Sequence, residues 1–344
     1  MQFDTILSRF PCITNVQKME EFGSGHINDT YRVKAGGKFY ILQRVNHTVF
    51  KNIDGLTENI KKISAYIASH NKNHNMQFLH FYSDQDGKQI VEDDIGNYWR
   101  LMDYIANTKS FDIVENEKVA YSGGEAYGWF VKVLKDFPAE TLMETIPDFH
   151  NIDFRLKNFK KAIKTDVKKR LKEVENEVLF VQQRAEEMRT ILLSGQSGKI
   201  PLRVTHNDTK ISNVLFDNQD NAVCVIDLDT VMPGYVHYDF GDAVRTFTNT
   251  AKEDEKDLSK VGIDMRLYHA LYDGFLSQTQ DVLSSDELSL LPFSAKFMTY
   301  IMGVRFLTDY LEGDVYYKTA YLRHNLVRAK NQFRLLESME QLLN

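Results

Sequence analysis

The chain has 344 residues, 43% of them hydrophobic and 26% charged, which is more than one average domain and enough apolar material for a substantial core. A formal net charge of −6, with Lys and Arg spread among acids, excludes the electrostatic footprint of a nucleic-acid partner. No run of about 18 apolar residues exists, so no membrane span is expected, and the opening MQFDTILSRF lacks the apolar core of a signal peptide.

The expectation at this point is a cytoplasmic enzyme or binding protein. Cys12 and Cys224 lie far apart, and Cys224 falls inside an apolar run, so it reads as a free core thiol.

Residues 1–15 read as a short amphipathic helix with Phe3, Ile6, Leu7 and Phe10 on one side. Strand signals dominate from there to residue 105. Residues 18–22 lead into Gly23-Ser24-Gly25, residues 28–34 follow, and Gly36-Gly37 turns the chain into Phe39-Tyr40-Ile41-Leu42. Leu56, Ile60, Ile63 and Ile67 then recur at helical spacing over 56–68. Further strands are expected at 89–92 and 98–105. The order β-β-β-α-β-β is compact, and its sheet should be antiparallel.

The character changes near residues 104–110, which we take as the lobe boundary: 1–105 and 106–344. Residues 116–136 and 153–194 read as helical. In the second stretch Leu156, Phe159, Ile163, Val167, Leu171, Val174 and Val178 form one stripe, the mark of a surface helix or helix pair packed on a core. Helices are also expected at 264–281, 285–310 and 320–342.

The chemistry concentrates in VTHNDTKISNVLFDNQDNAVCVIDLD, residues 204–229. Val214-Leu215-Phe216 and residues 222–226 read as two short strands joined by a turn cluster. Such a hairpin would bring Asp227 back beside Asn213, with Asp208 just upstream. One carboxylate and one carboxamide suit a hard divalent cation, and Mg²⁺ needs only one or two protein oxygens where phosphates supply the rest. Phosphoryl transfer needs metal, a backbone cover over the phosphates, and a group that orients or deprotonates the attacking hydroxyl. Asp208 would be that base or orienter, and Asn213 and Asp227 would hold Mg²⁺. His206 reads as structural. Lys210 would either sit near the transferred phosphoryl group or be solvated. Gly23-Ser24-Gly25-His26 could form the cover.

These residues resemble the protein-kinase-like fold in its small-molecule branch, the aminoglycoside phosphotransferase and choline kinase group. His206-Asn207-Asp208 with Asn213 matches the catalytic loop of that group, Ile226-Asp227 its metal-binding strand end, and Asp103-Tyr104-Ile105 its hinge. The fold implied is α+β and bilobal: a small N-terminal lobe with an antiparallel sheet and one helix, and a larger, mostly helical C-terminal lobe.

THNDTKISNVL, CVIDLDTVMPG, YDFGDAVR, GSGHINDTY, YILQRVN and RFLTDYLEGDVYY, spread over residues 20–335, further resemble the N-acetylhexosamine 1-kinases. That resemblance implies transfer from ATP, with Mg²⁺, to the anomeric hydroxyl of N-acetylglucosamine or N-acetylgalactosamine. Asp208 and Lys210 would be catalytic; Asn213 and Asp227 would bind metal. Gly23, Ser24, Gly25, Gln43, Asp103 and Ile105 would bind the nucleotide; His26, Arg305 and Tyr316 would contact the sugar. Arg305 could otherwise be a helix-surface charge and Tyr316 a core residue. A role for Asp229 in the metal shell or the loop stays open. Partners would be the sugar and ATP, in a monomer or weak homodimer.

One departure stands out. Kinases of this fold commonly carry Lys or Arg on the third strand at the α- and β-phosphates, where this chain has Gln43-Arg44. Alternation puts these two on opposite faces. Either Arg44 substitutes through a bulge, or Lys210 and Mg²⁺ carry more of the charge; Glu58, the helix partner of such a lysine, then loses its usual role. Tyr238-Asp239-Phe240-Gly241-Asp242 mimics a D-F-G signature but follows Asp227, so Asp239, Asp242 and Arg245 should brace the catalytic loop. Two further readings are a kinase for choline, ethanolamine, homoserine or an aminoglycoside, and a non-catalytic binding module.

Overall fold

Period-two alternation between tight turns builds the first lobe, because each strand must bury one face and the turns must reverse the chain within a few residues. The computed structural model describes residues 2–23, 27–71 and 76–343. Helix α1 (Gln2–Leu7) precedes strands β1 (Val16–Glu21), β2 (Asp29–Ala35) and β3 (Lys38–Val45), and helix α2 (Ile53–His70) follows them. Strands β4 (Phe81–Tyr82), β5 (Val91–Glu92) and β6 (Tyr98–Asp103) complete the sheet. The strand order is β1-β2-β3-β6-β4, with β5 also on β6, and every pairing is antiparallel.

The β-β-β-α-β-β expectation holds apart from the two-residue β4, which carries no sequence signal of its own. Helix α1 is shorter than the 1–15 stretch expected. Pro11 cannot continue a helix and biases the residue before it away from helical backbone, so the chain turns after Leu7.

Register fixes what each face carries. Gln43 stands opposite Thr30 on one side and Arg100 on the other, and Tyr40 stands opposite Asp103. Tyr40 and Leu42 pack beneath Ile6, Leu7 and Phe10 of the N-terminal segment. Val45 and Met102 face the other way, toward the buried Leu56, Ile60, Ile63 and Ile67 of α2 and the core of the second lobe. Asn59 of α2 donates to Met143 O at 2.7 Å and Val231 O at 3.0 Å, which ties the lobes together.

The second lobe is mainly helical: α3 (Glu117–Val133), α4 (Ile152–Thr165), α5 (Glu175–Arg184) and α6 (Thr190–Gln196) come first. Strands β7 (Arg203–Thr205), β8 (Val214–Phe216), β9 (Ala222–Val225) and β10 (Met232–Gly234) then form two short antiparallel pairs, β7 with β10 and β8 with β9. Helices α7 (Val236–Phe247), α8 (Met265–Thr279), α9 (Ser285–Glu312) and α10 (His324–Leu342) close the chain.

The single stripe expected over 153–194 is interrupted. Asp166 turns left-handed at φ +35°, and its carboxylate accepts Arg170 N at 2.8 Å and Leu171 N at 3.2 Å. This local bonding outcompetes helix continuation and leaves Val167 exposed between two packed segments.

Glycines let α3 and α8 cross closely: a Cβ on Gly274 would lie 2.1 Å from Tyr121 O, and one on Gly124 2.3 Å from Leu271 O. Among the described residues no helix is long and apolar enough to cross a membrane. Both cysteines are free, and burial pushes the Cys224 thiol up to about 12.

Candidate active site

Strand β7 runs into a loop whose backbone is held from beneath by α7. Asp239, Asp242 and Arg245 lie three residues apart and so share one face of that helix. The Asp239 carboxylate accepts His206 N at 2.8 Å and Asn207 N at 2.7 Å, and Asp242 accepts Thr209 N at 3.1 Å. Arg245 donates to Asp242 at 2.9 Å. The D-F-G look-alike thus braces the loop. Asn207 is held at φ +66° by donating to Thr205 O and Thr230 O, at 3.1 and 2.9 Å, a backbone shape that persists only when its surroundings fix it. His206 is fully buried; its Nε2 donates to Ile226 O at 2.9 Å, and its Nδ1 accepts Asp208 N at 3.3 Å.

Asp208 projects from this brace. Its Oδ2 accepts Lys210 Nζ at 2.8 Å and Asn213 Nδ2 at 3.0 Å. Burial opposes ionisation of Asp208, but Lys210, His206 and Asn213 outweigh it and hold the carboxyl below its ordinary value. Lys210 is likewise opposed by burial and kept charged, its pKa raised, by Asp208 and Asp227. It is therefore an ion-paired residue whose side chain keeps partial access to solvent.

The β8–β9 hairpin returns the chain as expected: Ile226 N donates to Asn213 O at 2.9 Å, which sets Asp227 beside Asn213. Asp227 adopts φ +62°, and burial, then Asp229 and Asp208, push its carboxyl up to about 7 against the opposing charges of Lys210 and Arg100. No group of three or more His, Cys, Asp or Glu side chains among the described residues could hold a metal ion alone. Asn213 and Asp227 offer two oxygens, which matches a Mg²⁺ that takes its other ligands from phosphate and water.

On the opposite wall Gly23 has φ +82°, suited to glycine, with open space where a Cβ would stand. Ser24, Gly25 and His26 lie outside the described residues, so the cover loop and the sugar role expected of His26 have no geometry here. Gln43 faces the cleft, as alternation requires. Arg44 does not substitute for it: the β2–β3–β6 registers run without a bulge, and Arg44 pairs with Asp29 on the other face. Glu58 is exposed and the inward residue of that turn is Asn59.

Asp103 ends β6 with its carboxylate turned away from the cleft, accepting the Tyr82 hydroxyl at 2.8 Å, so only its backbone could meet a nucleotide. Ile105 follows, partly buried against the core, its carbonyl accepting Thr108 Oγ1 at 2.7 Å.

The model of the phosphotransferase enzyme family matches residues 18–269, well over half of the chain. The chain belongs to this family. The fold is shared at low identity by solved structures. An aminoglycoside phosphotransferase from Alicyclobacillus acidocaldarius is 12% identical with a TM-score of 0.66, the match covering 99% of this chain and 96% of that one. A microcompartment-associated aminopropanol kinase is 13% identical with a TM-score of 0.61, over 99% and 96%. A spectinomycin phosphotransferase in complex with ADP and spectinomycin is 11% identical with a TM-score of 0.59, over 96% and 95%.

In this phosphotransferase a second cluster adjoins the catalytic loop. His150 Nε2 donates to Asn207 O at 3.3 Å, and its Nδ1 is buried without a hydrogen-bond partner. Burial, then Arg305, lowers the His150 pKa far enough to keep the ring neutral. Arg305 is only 8% exposed, so it is no surface charge; its guanidinium lies 4.7 Å from the Phe149 ring, 5.7 Å from Tyr317 and 6.0 Å from Tyr316. Tyr316 is 58% exposed and so is not a core residue. The buried Tyr317 hydroxyl has no hydrogen-bond partner. Arg155 donates to Phe149 O at 2.8 Å, and burial, then Arg305, lowers its pKa to about 10.

Asp309 fixes the tyrosine segment by accepting the backbone N–H groups of Val315, Tyr316 and Tyr317 at 2.9, 2.7 and 3.0 Å. The sequence reading missed His150, Arg155 and Asp309, and offered Tyr317 only as one of several tyrosines that could line a pocket for a cationic acceptor. For Asp309 the only signal was an acid at a buried position of α9, four residues after Arg305.

Proposed function

We propose that this phosphotransferase is an ATP- and Mg²⁺-dependent kinase of the anomeric hydroxyl of N-acetylhexosamines. Residues 1–105 would form the nucleotide lobe, and 106–344 would carry the catalytic loop and the acceptor pocket. Asp208 orients the sugar hydroxyl and accepts its proton through the oxygen that Lys210 and Asn213 leave free. Lys210 offsets charge at the transferred group. Asn213 and Asp227 hold Mg²⁺, which when bound neutralises phosphate charge. ATP as donor is supported by a structural relative solved with ADP.

The observation that carries the acceptor class is the chemistry beside the catalytic loop. A cationic acceptor calls for acidic groups or free aromatic faces that stabilise positive charge, and here the Phe149, Tyr316 and Tyr317 rings already surround the Arg305 guanidinium. This pocket instead gathers Arg305 and Arg155, neither within salt-bridge reach of a carboxylate among the described residues, with a neutral His150 and the unpartnered Tyr317 hydroxyl. Unsatisfied buried donors and acceptors of this kind are costly until a ligand pairs them. A neutral, polyhydroxylated acceptor with an acetamido carbonyl would do so without bringing a third positive charge near the two guanidinium groups. The segments similar to the N-acetylhexosamine 1-kinases, RFLTDYLEGDVYY among them, support the same reading.

The test is an acceptor panel with ATP and Mg²⁺, followed by ADP release, with the phosphate located by NMR. N-acetylglucosamine and N-acetylgalactosamine should be turned over to the 1-phosphate. Turnover of choline, ethanolamine, aminopropanol or an aminoglycoside with none on these sugars would refute the acceptor assignment.

A further inference from the structure

The cleft lacks a cation on the third strand, and the register of the sheet shows where one is supplied. Arg100, on β6, is the cross-strand partner of Gln43. Directly opposed residues of an antiparallel pair point to the same face, so the arginine enters the cleft beside the position where the third strand would present its lysine. The side chain is 5% exposed, and its placement is imposed from two sides. Its Nε donates to Gln43 Oε1 at 2.9 Å, and Gln43 in turn donates to Thr30 Oγ1 at 3.0 Å.

Across the cleft its Nη1 lies 2.5 Å from Asp229 Oδ1, two residues beyond Asp227. The other oxygen of Asp229 accepts Asn28 Nδ2 at 2.6 Å, from the segment that follows the glycine loop. Neither Arg100 Nη1 nor Asp229 Oδ1 has a hydrogen-bond partner of acceptable geometry, although both are buried. The guanidinium is thus paired in charge: Nε and Nη2 donate to Gln43, while Nη1, which faces Asp229, is the donor without a hydrogen bond.

Other cations on that face are engaged elsewhere. Arg32 is paired with Glu20, and the Lys34 ammonium lies 5.6 Å from the Phe39 ring.

We propose that Arg100 is the residue that binds the nucleotide polyphosphate, with Gln43 as its positioning residue and Asp229 as the carboxylate that holds it when no nucleotide is bound. Gln43 has then not lost a phosphate contact; it has become the acceptor that aims an arginine from the neighbouring strand. A planar fork of donors suits phosphate oxygens, and exchange from Asp229 to phosphate keeps the buried guanidinium paired, while Asp229 retains its hydrogen bond from Asn28. The bridge from Asn28 and Arg100 to Asp229 also links the two lobes, so nucleotide binding would release a contact between them.

The inference rests on the reading that the cleft binds ATP, and the experiment separates the two. Calorimetric affinities for ADP and for adenosine, with Mg²⁺ present, are compared in wild type, Arg100→Lys, the double variant Arg100→Met/Asp229→Asn, and Arg44→Gln. The double variant removes both buried charges together, so no lone ion is left in the core. Loss of a charge-assisted contact should weaken ADP about ten- to a hundredfold while leaving adenosine within about twofold. Arg100→Lys should recover part of that loss, and Arg44→Gln should match wild type. Equal weakening of ADP and adenosine, or ADP affinity unchanged in the double variant, overturns the role of Arg100 and leaves the nucleotide site standing. A wild-type protein that binds neither ADP nor ATP overturns both.

Discussion

Asp239 offers a demanding perturbation, because its carboxylate has no access to solvent and two backbone N–H groups of the catalytic loop depend on it. The bonds are 2.8 Å from His206 N and 2.7 Å from Asn207 N, to a residue 1% exposed. A hydrogen bond to a charged group contributes about 1.5–3 kcal/mol net, so losing both should cost about 3–6 kcal/mol. That is a fifth or more of the roughly 5–15 kcal/mol typical of whole-protein stability. Asp239→Ala should therefore lower the midpoint of urea unfolding sharply. Asp239→Asn keeps one acceptor oxygen and should fall in between.

Catalysis should suffer beyond stability, since a displacement of about 1 Å at a reacting group can cost on the order of a hundredfold in rate. Turnover is to be measured at a temperature where each variant is still folded by circular dichroism. An Asp239→Ala protein with wild-type urea midpoint and wild-type kcat would refute the brace.

Three further outcomes are expected. In the proposed metal site the Asp227 carboxyl, raised to about 7 by burial and by Asp229 and Asp208, must lose its proton before it can bind a cation. Mn²⁺ or Mg²⁺ affinity of the nucleotide-free protein should therefore fall roughly tenfold per pH unit below about 7 and level off above it; a flat profile from pH 5.5 to 8 would speak against the assignment. Asp227→Ala, and chelation of the metal by EDTA, should each abolish turnover, and activity that survives either would remove Asp227 or the cation from the chemistry. Gly274→Ala puts a methyl group 2.1 Å from a backbone oxygen of α3 and should destabilise by at least the roughly 1–3 kcal/mol of an overpacked core, read from the thermal midpoint.

Local chemistry was the part of this molecule most legible in its sequence. Asn213 and Asp227 flank one hairpin and Asp208 lies just upstream of it, so their spacing alone sets them together, and strand alternation correctly turned Gln43 inward and Arg44 outward. Features that depend on partners distant in the chain were not legible. Arg100 is 129 positions from Asp229 by the numbering of that ion pair, and nothing local connects them. An arginine within YWRLMD, at an inward position opposite Gln43, was nonetheless a signal once the strand register was known.

The 153–194 stripe packs as a set of helices, and only its continuity at Val167 was misread, for a different reason. Its spacing is helical throughout, but Asp166 can bond the following backbone locally, and hydrophobic periodicity does not register that competition. Tyr316 and Tyr317 are adjacent in sequence, so their spacing could not show that one is exposed while the other buries an unpaired hydroxyl.

The most direct measurement is steady-state turnover of Asp208→Asn with ATP, Mg²⁺ and N-acetylglucosamine, alongside its affinity for ADP. Asn occupies the same volume but cannot accept the hydroxyl proton. A positioned general base contributes about 10²–10⁴-fold, so kcat should drop by that order while ADP affinity stays near wild type. Wild-type turnover in the Asp208→Asn protein would contradict the account at its centre.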